Sequence, residues 1–504
     1  MAGWRRKLGR WLAGRPPTGD RPAGNEPMGR RRTQRQRSAL EAGETDRLNS
    51  RHWALADKDT PINTILAAYL PIVRARASYE AINNANVEGV INTHAGDVVG
   101  ESGPVLQVES DNDKYNDALE HVWSQWWARP DRAGVLSGVD MLTLDVEMMW
   151  QTGEFFEQEV TDADAEGPVK LRLRSIHGRR CYTPIAKMGD ESITLGIKRD
   201  RFGKPLEYYI ETALEGESLR SLNLAPQPIR AGDIIHGFKV REPDQARGVP
   251  WLASSLQAIA DLRDYDVQVM DAARAAADMA VLLYTKNPDA DYHEVSETVE
   301  IERRMMTTLP PLYEAQQLTP QQPANTYRDF RAERLRELGR PVGMPLMMVQ
   351  LDSRNHNFSS ARFDSRVYTR ALCKLQNWLV NVKLARNVRA VAREAELARA
   401  IPKRPERVRQ VWTWPRLPDV DPQKEEKAVT ERLKNETTTL QVECARKNVN
   451  WEDVLKQRAK EAQLRKELAL PENGAEKTSK GRSDETESDT GSAYRAAHVT
   501  VVAM

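Results

Sequence analysis

Cysteine is nearly absent from this chain of 504 residues, with three in all, Cys181, Cys373 and Cys444. They lie far apart with no paired spacing, which excludes a disulfide framework and a cysteine-based zinc site and fits a reducing compartment. Long apolar runs are absent too. No stretch approaches the ~18–20 residues needed to span a bilayer, and the opening Met1-Ala2-Gly3-Trp4-Arg5-Arg6-Lys7-Leu8 lacks the continuous apolar core of a secretory signal. A membrane is therefore not expected as a partner. Net charge is almost absent as well, 74 basic residues standing against 73 acidic ones. That balance conceals segregation: residues 1–40 hold eleven Arg or Lys and two acids, so the remainder of the chain is negative.

Recognisable catalytic signatures are also missing. No Gly-x-x-x-x-Gly-Lys-Ser/Thr loop occurs to cradle a nucleotide phosphate. His293-Glu294 has no second histidine at helical spacing, and Gly100-Glu101-Ser102-Gly103 is one residue short of a nucleophile elbow. The eight histidines are scattered. Nothing argues for an enzyme, a metal or a cofactor.

What is there is a large, mainly helical α+β chain, several times the length of an ordinary ~100–150-residue domain. Residues 1–50 are read as a basic, flexible tail, too poor in large apolar side chains to offset the entropy of ordering; its Trp4/Leu8/Trp11/Leu12 stripe is read as either a short amphipathic helix or a frayed terminus. Apolar residues at three- and four-residue intervals predict helix from Thr60 to about Gly100, again around Leu119 to Trp127, and from Leu142 to Gly153. The clustered tryptophans are read as core. Short alternating runs between 154 and 240 predict a small antiparallel β unit, with Asp200-Arg201-Phe202-Gly203-Lys204-Pro205 as a hairpin connection. An alanine-rich helix follows over 256–283, then short strands and proline-rich turns over 284–325, and a second helix beginning at Thr326. A polar connection leads to a long helix over 359–400, stopped by Pro402. A charged helical region occupies 423–470, and 471–504 is polar and low in complexity, read as a disordered tail.

Two helices carry organised charge. Asp264, Asp271 and Asp278 recur every seven residues along the alanine-rich helix, which keeps them on one face. Arg362, Arg366, Arg370 and Lys374 recur every four along the long helix, where residues 360–393 hold eight basic side chains against Asp364 alone. Each row is a solvated face, or else a surface that meets a polyanion or an oppositely charged subunit.

The order of segments resembles the lambda family of tailed-phage portal proteins. The resemblance is carried by Tyr79-Glu80-Ala81-Ile82-Asn83-Asn84, Gly96-Asp97-Val98-Val99-Gly100, Gly153-Glu154-Phe155 and Gly196-Ile197-Lys198-Arg199-Asp200. Its most specific part is Ala231-Gly232-Asp233-Ile234-Ile235-His236-Gly237-Phe238 leading into Gln245-Ala246-Arg247-Gly248-Val249-Pro250-Trp251. Asn357-Phe358-Ser359-Ser360-Ala361-Arg362 and Asp421-Pro422-Gln423-Lys424-Glu425 extend it, whereas Pro345-Leu346-Met347-Met348 departs from the usual pattern. The resemblance implies a portal fold of wing, stem, clip and crown, assembled as a ring typically of twelve identical subunits. Through such a ring double-stranded DNA enters the capsid during packaging and leaves on ejection. It implies docking to the terminase large subunit, to major capsid and scaffold proteins and to head-completion or neck proteins, with a place at the portal vertex of the virion and in the host cytoplasm during assembly.

Carried onto this chain, 51–255 is the wing, 256–283 and 326–344 the stem helices, and 284–325 the clip. Residues 345–358 form the tunnel loop, 359–400 the long helix and 401–470 the outer wing and crown. Asp264, Asp271 and Asp278 are then expected on the channel wall, and Arg354, Asn355, His356 and Asn357 in the tunnel loop. The row Arg362, Arg366, Arg370 and Lys374 is expected to face neighbouring subunits. Two other readings remain open at this point: a structural or scaffold adaptor without a channel, and a packaging enzyme such as a terminase.

Overall fold

The computed structural model describes residues 59–211, 225–277, 281–285, 313–317, 327–354, 357–415, 422–446 and 451–468. The chain divides into two units at Thr60/Pro61, and every element below belongs to the second. The expected tails, and most of the expected clip at 284–325, lie outside the described residues.

The helical stretch expected from Thr60 is two helices, α1 (Ile62–Asn83) and α2 (Ala85–Val99). Asn84 separates them by adopting an extended conformation, and its side chain accepts the Asn86 N–H at the start of α2. Next come β1 (Val105–Ser110), α3 (Asp113–Ala128) and α4 (Gly138–Gln151). Helix α4 starts at a reciprocal capping box between Ser137 and Asp140. Strand β1 was not foreseen. Its partner β11 (Val408–Thr413) lies some three hundred residues away, antiparallel, with Val105 opposite Thr413. That pairing carries Trp412 onto the Trp123 ring at 5.6 Å, while Trp123 stacks on Trp127 at 5.1 Å. The tryptophan cluster is core, as its apolar spacing suggested.

The β unit is two antiparallel sheets. In the first, β2 (Glu154–Thr161) lies between β3 (Leu171–Ile176) and β8 (Ile234–Phe238). In the second, β4 (Ile193–Thr194), β5 (Ile197–Arg199), β6 (Pro205–Ile210) and β7 (Gln227–Arg230) are joined in chain order. Between β4 and β5 the chain turns back at Leu195 and Gly196, both at positive φ. The hairpin at Asp200–Lys204 is present, with the Asp200 carboxylate accepting the N–H groups of Phe202 and Lys204 at 2.8 Å.

Helix α5 (Leu256–Ala277) is shorter than expected. Residues Val281–Thr285 form β9, paired antiparallel with β10 (Tyr313–Gln317), so the helical span 256–283 is corrected to end before Val281. The apolar residues that continued the helical pattern, Val281, Leu282 and Leu283, suit a strand equally well, and a distant partner decides between the two. Helix α6 (Tyr327–Gly339) and the short α7 (Leu346–Gln350) follow, the latter inside the segment read as loop. The long helix is α8 (Phe358–Leu379), a π-helical turn at Val380–Leu384, and α9 (Ala385–Leu397). The single charged region at 423–470 is three helices, α10 (Pro422–Lys434), α11 (Leu440–Arg446) and α12 (Trp451–Glu467).

Two buried charge clusters tie these parts together. At the first residue of β2, the fully buried Glu154 carboxylate accepts hydrogen bonds from Arg247 Nε (2.9 Å), the Gly248 N–H (2.8 Å) and Arg74 of α1, and lies 3.0 Å from His236 Nε2. Arg247 also donates to the carbonyls of Cys181 (2.7 Å) and Leu195 (2.8 Å), so one guanidinium joins both sheets. Burial alone would raise the Glu154 carboxyl, but Arg247, Arg74 and the His236 contact outweigh it and hold it well below its ordinary 4.5. Gly248 has no room for a side chain, since an added Cβ would sit 2.0 Å from the Gly153 carbonyl oxygen. Arg247 and Gly248 of the most specific sequence stretch thus serve this junction.

In the second cluster, the π turn aims the fully buried Lys383 at Asp145 of α4 and at Glu157 of β2, the latter 2.7 Å away. Burial pushes both carboxyls upward.

Replacing Arg247 by Met strands a buried carboxylate and is expected to cost about 3–5 kcal/mol, read by urea unfolding. Acid acts on the same contact. Because Glu154 is depressed in the folded chain, the unfolded chain binds more protons below its ordinary 4.5, so the stability it contributes is fully present above that value and is lost progressively as pH falls below it toward the depressed folded value. The urea midpoint should drop on that acid limb, and the drop should be shallower in Glu154→Gln.

Candidate functional site

Helix α5 presents its polar residues in a continuous line. Gln257, Asp261, Asp264, Gln268 and Asp271 are all exposed and recur at three- and four-residue intervals, which places them on one face. Asp278 lies outside the described residues. Asp264 and Asp271 therefore share a face, as their spacing predicted, and the row is extended by Asp261 and two amides that the seven-residue count missed. Counting three- and four-residue steps would have found them. Asp271 is partly offset by Arg274, 3.1 Å away on the same helix. The line is open because α6 packs elsewhere on α5: Tyr265 lies against Tyr327 (5.8 Å) and Phe330 (4.6 Å), and the Tyr327 hydroxyl donates to Asp266 at 2.8 Å.

After α7 the chain turns at Leu351, which takes a left-handed conformation and is exposed. Asp352 then accepts from Arg354 Nε at 2.9 Å and from its terminal nitrogen at 2.7 Å, with Arg328 of α6 at 3.9 Å. The Arg354 hydrogen bonds hold the Asp352 carboxyl well below the usual range. These side chains line an open cleft of about 690 Å³ with Asp329, Glu333 and Arg336. Asn355 and His356 lie outside the described residues. Asn357 is the N-cap of α8, its carboxamide oxygen accepting the Ser360 N–H at 2.8 Å. The four expected loop residues are thus not equivalent: Arg354 is paired with Asp352, and the Asn357 oxygen starts a helix.

On α8, Arg362, Arg366, Arg370 and Lys374 are all exposed, and none forms an ion pair with a described carboxylate. Phe363 (67% exposed) and Val367 (44%) border the row. The opposite face is core: Tyr368, Leu372, Gln376 and Leu379 are buried, Tyr368 donates to Asp97 at 2.9 Å and Gln376 to the Val98 carbonyl at 2.8 Å. The row is exposed because its helix is anchored from behind. Among the described residues no three His, Cys, Asp or Glu side chains are grouped to hold a metal, and no helix is long and apolar enough to cross a membrane.

The family described as "Phage portal protein, lambda family" matches residues 48–375. The chain belongs to the lambda family of phage portal proteins. As a portal protein it is a structural component of the portal vertex, working as a homo-oligomeric ring, and not an enzyme. The match spans the Glu154–Arg247 cluster, the α5 row, the Asp352–Arg354 turn and most of α8, and ends before Lys383. Among solved structures, this portal protein is similar to a chain in the "Virion of native gene transfer agent (GTA) particle", at 13% identity and a TM-score of 0.43, covering 80% of this chain and 93% of that one. It is also similar to one in the "Neck of native GTA particle computed with C12 symmetry" (13%, 0.38, covering 65% and 89%). A third is an HK97-family phage portal protein from Corynebacterium diphtheriae (10%, 0.29, covering 57% and 82%).

Asn357→Ala should cost the portal protein about 1 kcal/mol, the usual worth of an N-cap, and Asn357→Asp should retain most of it. Thermal unfolding of the three proteins side by side checks this.

Proposed function

We propose that twelve copies of this chain, the number the family resemblance implies, enclose a channel for double-stranded DNA, with the exposed row on α5 forming its wall. The observation that carries the proposal is that row: Asp261, Asp264 and Asp271, spaced by Gln257 and Gln268 and uncovered by the rest of the chain. DNA bears about one negative charge per 1.7 Å of helix axis, and a wall of cations would bind it by releasing counterions. A wall of carboxylates repels phosphate over about a Debye length, ~8 Å at physiological salt, and lets the duplex move without a deep energy minimum. Asp278 continues the row by its spacing.

The segment assignments follow the resemblance. Residues 51–255 form the wing, α5 and the 326–344 segment the stem, 284–325 the clip that meets the terminase large subunit and later the neck proteins, and 401–470 the outer wing and crown. The loop at 345–358 lies at the tunnel, where Asn355, His356 and the outward amide of Asn357 make weak, reversible contacts with the DNA backbone, while Arg354 stays with Asp352. The basic row on α8 faces acidic surfaces of neighbouring subunits, and the outer surface meets major capsid and scaffold proteins. Assembly takes place in the host cytoplasm.

Converting Asp264, Asp271 and Asp278 together to Lys should slow DNA translocation in a reconstituted packaging assay by about tenfold or more, equivalent to adding roughly 1.4 kcal/mol to the barrier. Rings should still assemble. Unchanged packaging through variant rings would remove α5 from the channel wall.

A further inference from the structure

We propose that a cavity between α2, α4 and α8 is a binding site for a small amphipathic carboxylate, an apolar body of aliphatic or aromatic carbon that ends in one negative charge. Its volume is about 320 Å³, at the lower end of the ~300–1,000 Å³ usual for small-molecule sites. The wall is drawn from distant parts of the chain. His94 comes from α2 and Met149 from α4; Trp251 opens the one-turn helix that leads into α5, and the turn Pro341–Gly343 leaves α6. Helix α8 closes the remaining side with Ala371, Leu375 and Trp378. The site stands apart from the aspartate row on α5 and does not depend on the channel reading.

The polar atoms set into this wall identify the ligand. No carboxylate, hydroxyl or carboxamide side chain lines the cavity, so its side-chain nitrogens stand without oxygen acceptors. Lys239, just after β8, and Lys374, the last of the α8 row, line it as exposed side chains, and neither is ion-paired among the described residues. Trp251, by contrast, is only 7% exposed, and its Nε1–H has no hydrogen-bond partner. A buried N–H without an acceptor is uncommon and costs free energy until one arrives. His94, 1% exposed, brings a further donor. Its Nδ1 accepts from Trp150 Nε1 at 3.0 Å, and burial pushes its pKa down to about 3, so the neutral ring carries its proton on Nε2.

Donors and positive charge without acceptors call for an acceptor with negative charge. An ammonium ligand meets two lysines and is repelled, and a multiply charged phosphate would hold uncompensated charge against carbon. A single carboxylate on an apolar body satisfies both halves of the site. The apolar stems of Lys239 and Lys374 can lie along that body while their ammonium groups meet the carboxylate in charge-assisted hydrogen bonds. An occupant would touch the entry into α5, the turn leaving α6 and the face of α8 together. Because only the folded chain forms the cavity, binding raises the unfolding midpoint.

The test uses the full chain and three probes that share one apolar body: octanoate, octan-1-ol and octylammonium. Affinity is read by isothermal titration calorimetry at low salt, with thermal unfolding and circular dichroism alongside. Octanoate should bind saturably, raise the unfolding midpoint, and bind about tenfold more tightly than octan-1-ol, the worth of two partly screened ion contacts. Octylammonium should show no saturable binding. Lys239→Met combined with Lys374→Met should remove the advantage of octanoate over octan-1-ol while the alcohol's affinity and the folded spectrum stay those of the parent. Lys204→Met, at an exposed lysine of the β5–β6 hairpin outside the cavity, should change neither affinity. Ala371→Leu fills the cavity and should weaken both octanoate and octan-1-ol; if it unfolds the chain, Val342→Phe is read in its place. Octanoate affinity undiminished in the folded lysine pair, octylammonium bound as tightly as octanoate, or no saturable binding of octanoate to the parent would each overturn the proposal.

Discussion

Glu154 and Arg247 are the contact on which the other parts depend. One carboxylate at the start of β2 and one guanidinium from the loop after β8 fix α1 through Arg74, both sheets through the Cys181 and Leu195 carbonyls, and the entry into α5 through Gly248. Removing two charges from water is costly unless nearly every lone pair and N–H is satisfied, and here the satisfying groups come from segments far apart in sequence. The arrangement works as a whole or fails as a whole. It therefore sets where α5 leaves the two sheets, and with it the direction of the aspartate row. Lys383 plays the corresponding part for the long helix. Its two carboxylate partners fix the phase of α8 relative to α4 and β2, and so determine that Arg362, Arg366, Arg370 and Lys374 face outward.

Seen this way, the near-zero net charge is the sum of charges with separate duties. Buried charges position the elements. Exposed ones lie in single-sign rows on different helices, acidic on α5 and basic on α8. For the proposed conduit that separation matters, since a cation facing the channel would hold the duplex, whereas a basic row facing a neighbour can pair with its carboxylates.

Much of this was legible from residue order, and the misses have common physical causes. Helices with a one-sided apolar pattern, such as α3 with its tryptophans, were readable because the information is local. The hairpin at Asp200–Lys204 was readable because Asp and Gly chemistry dictates that turn. Strand β1 was not, because its partner lies three hundred residues away and six residues of Val-Leu-Gln-Val-Glu-Ser carry no period long enough to decide. The end of α5 was misplaced for the same reason, a distant strand outcompeting a local helical pattern at Val281. The aspartate spacing was legible as a row, whereas its extension by Asp261 and the amides became visible only once exposure was known. Glu154, Arg247, Asp145, Glu157 and Lys383 carried no local signal, since in a chain so rich in charge a buried ion looks like any other. The family signature contained Glu154 and Arg247, but only the structure gives the reason: a guanidinium fork and glycine gaps around one carboxylate.

The central claim is that this chain encloses a channel. Negative-stain electron microscopy of the purified full-length protein tests it most directly. The account predicts closed rings seen end-on with a central hole wide enough for a DNA duplex. Compact particles without a hole, at concentrations where the protein is folded and associated, would contradict it.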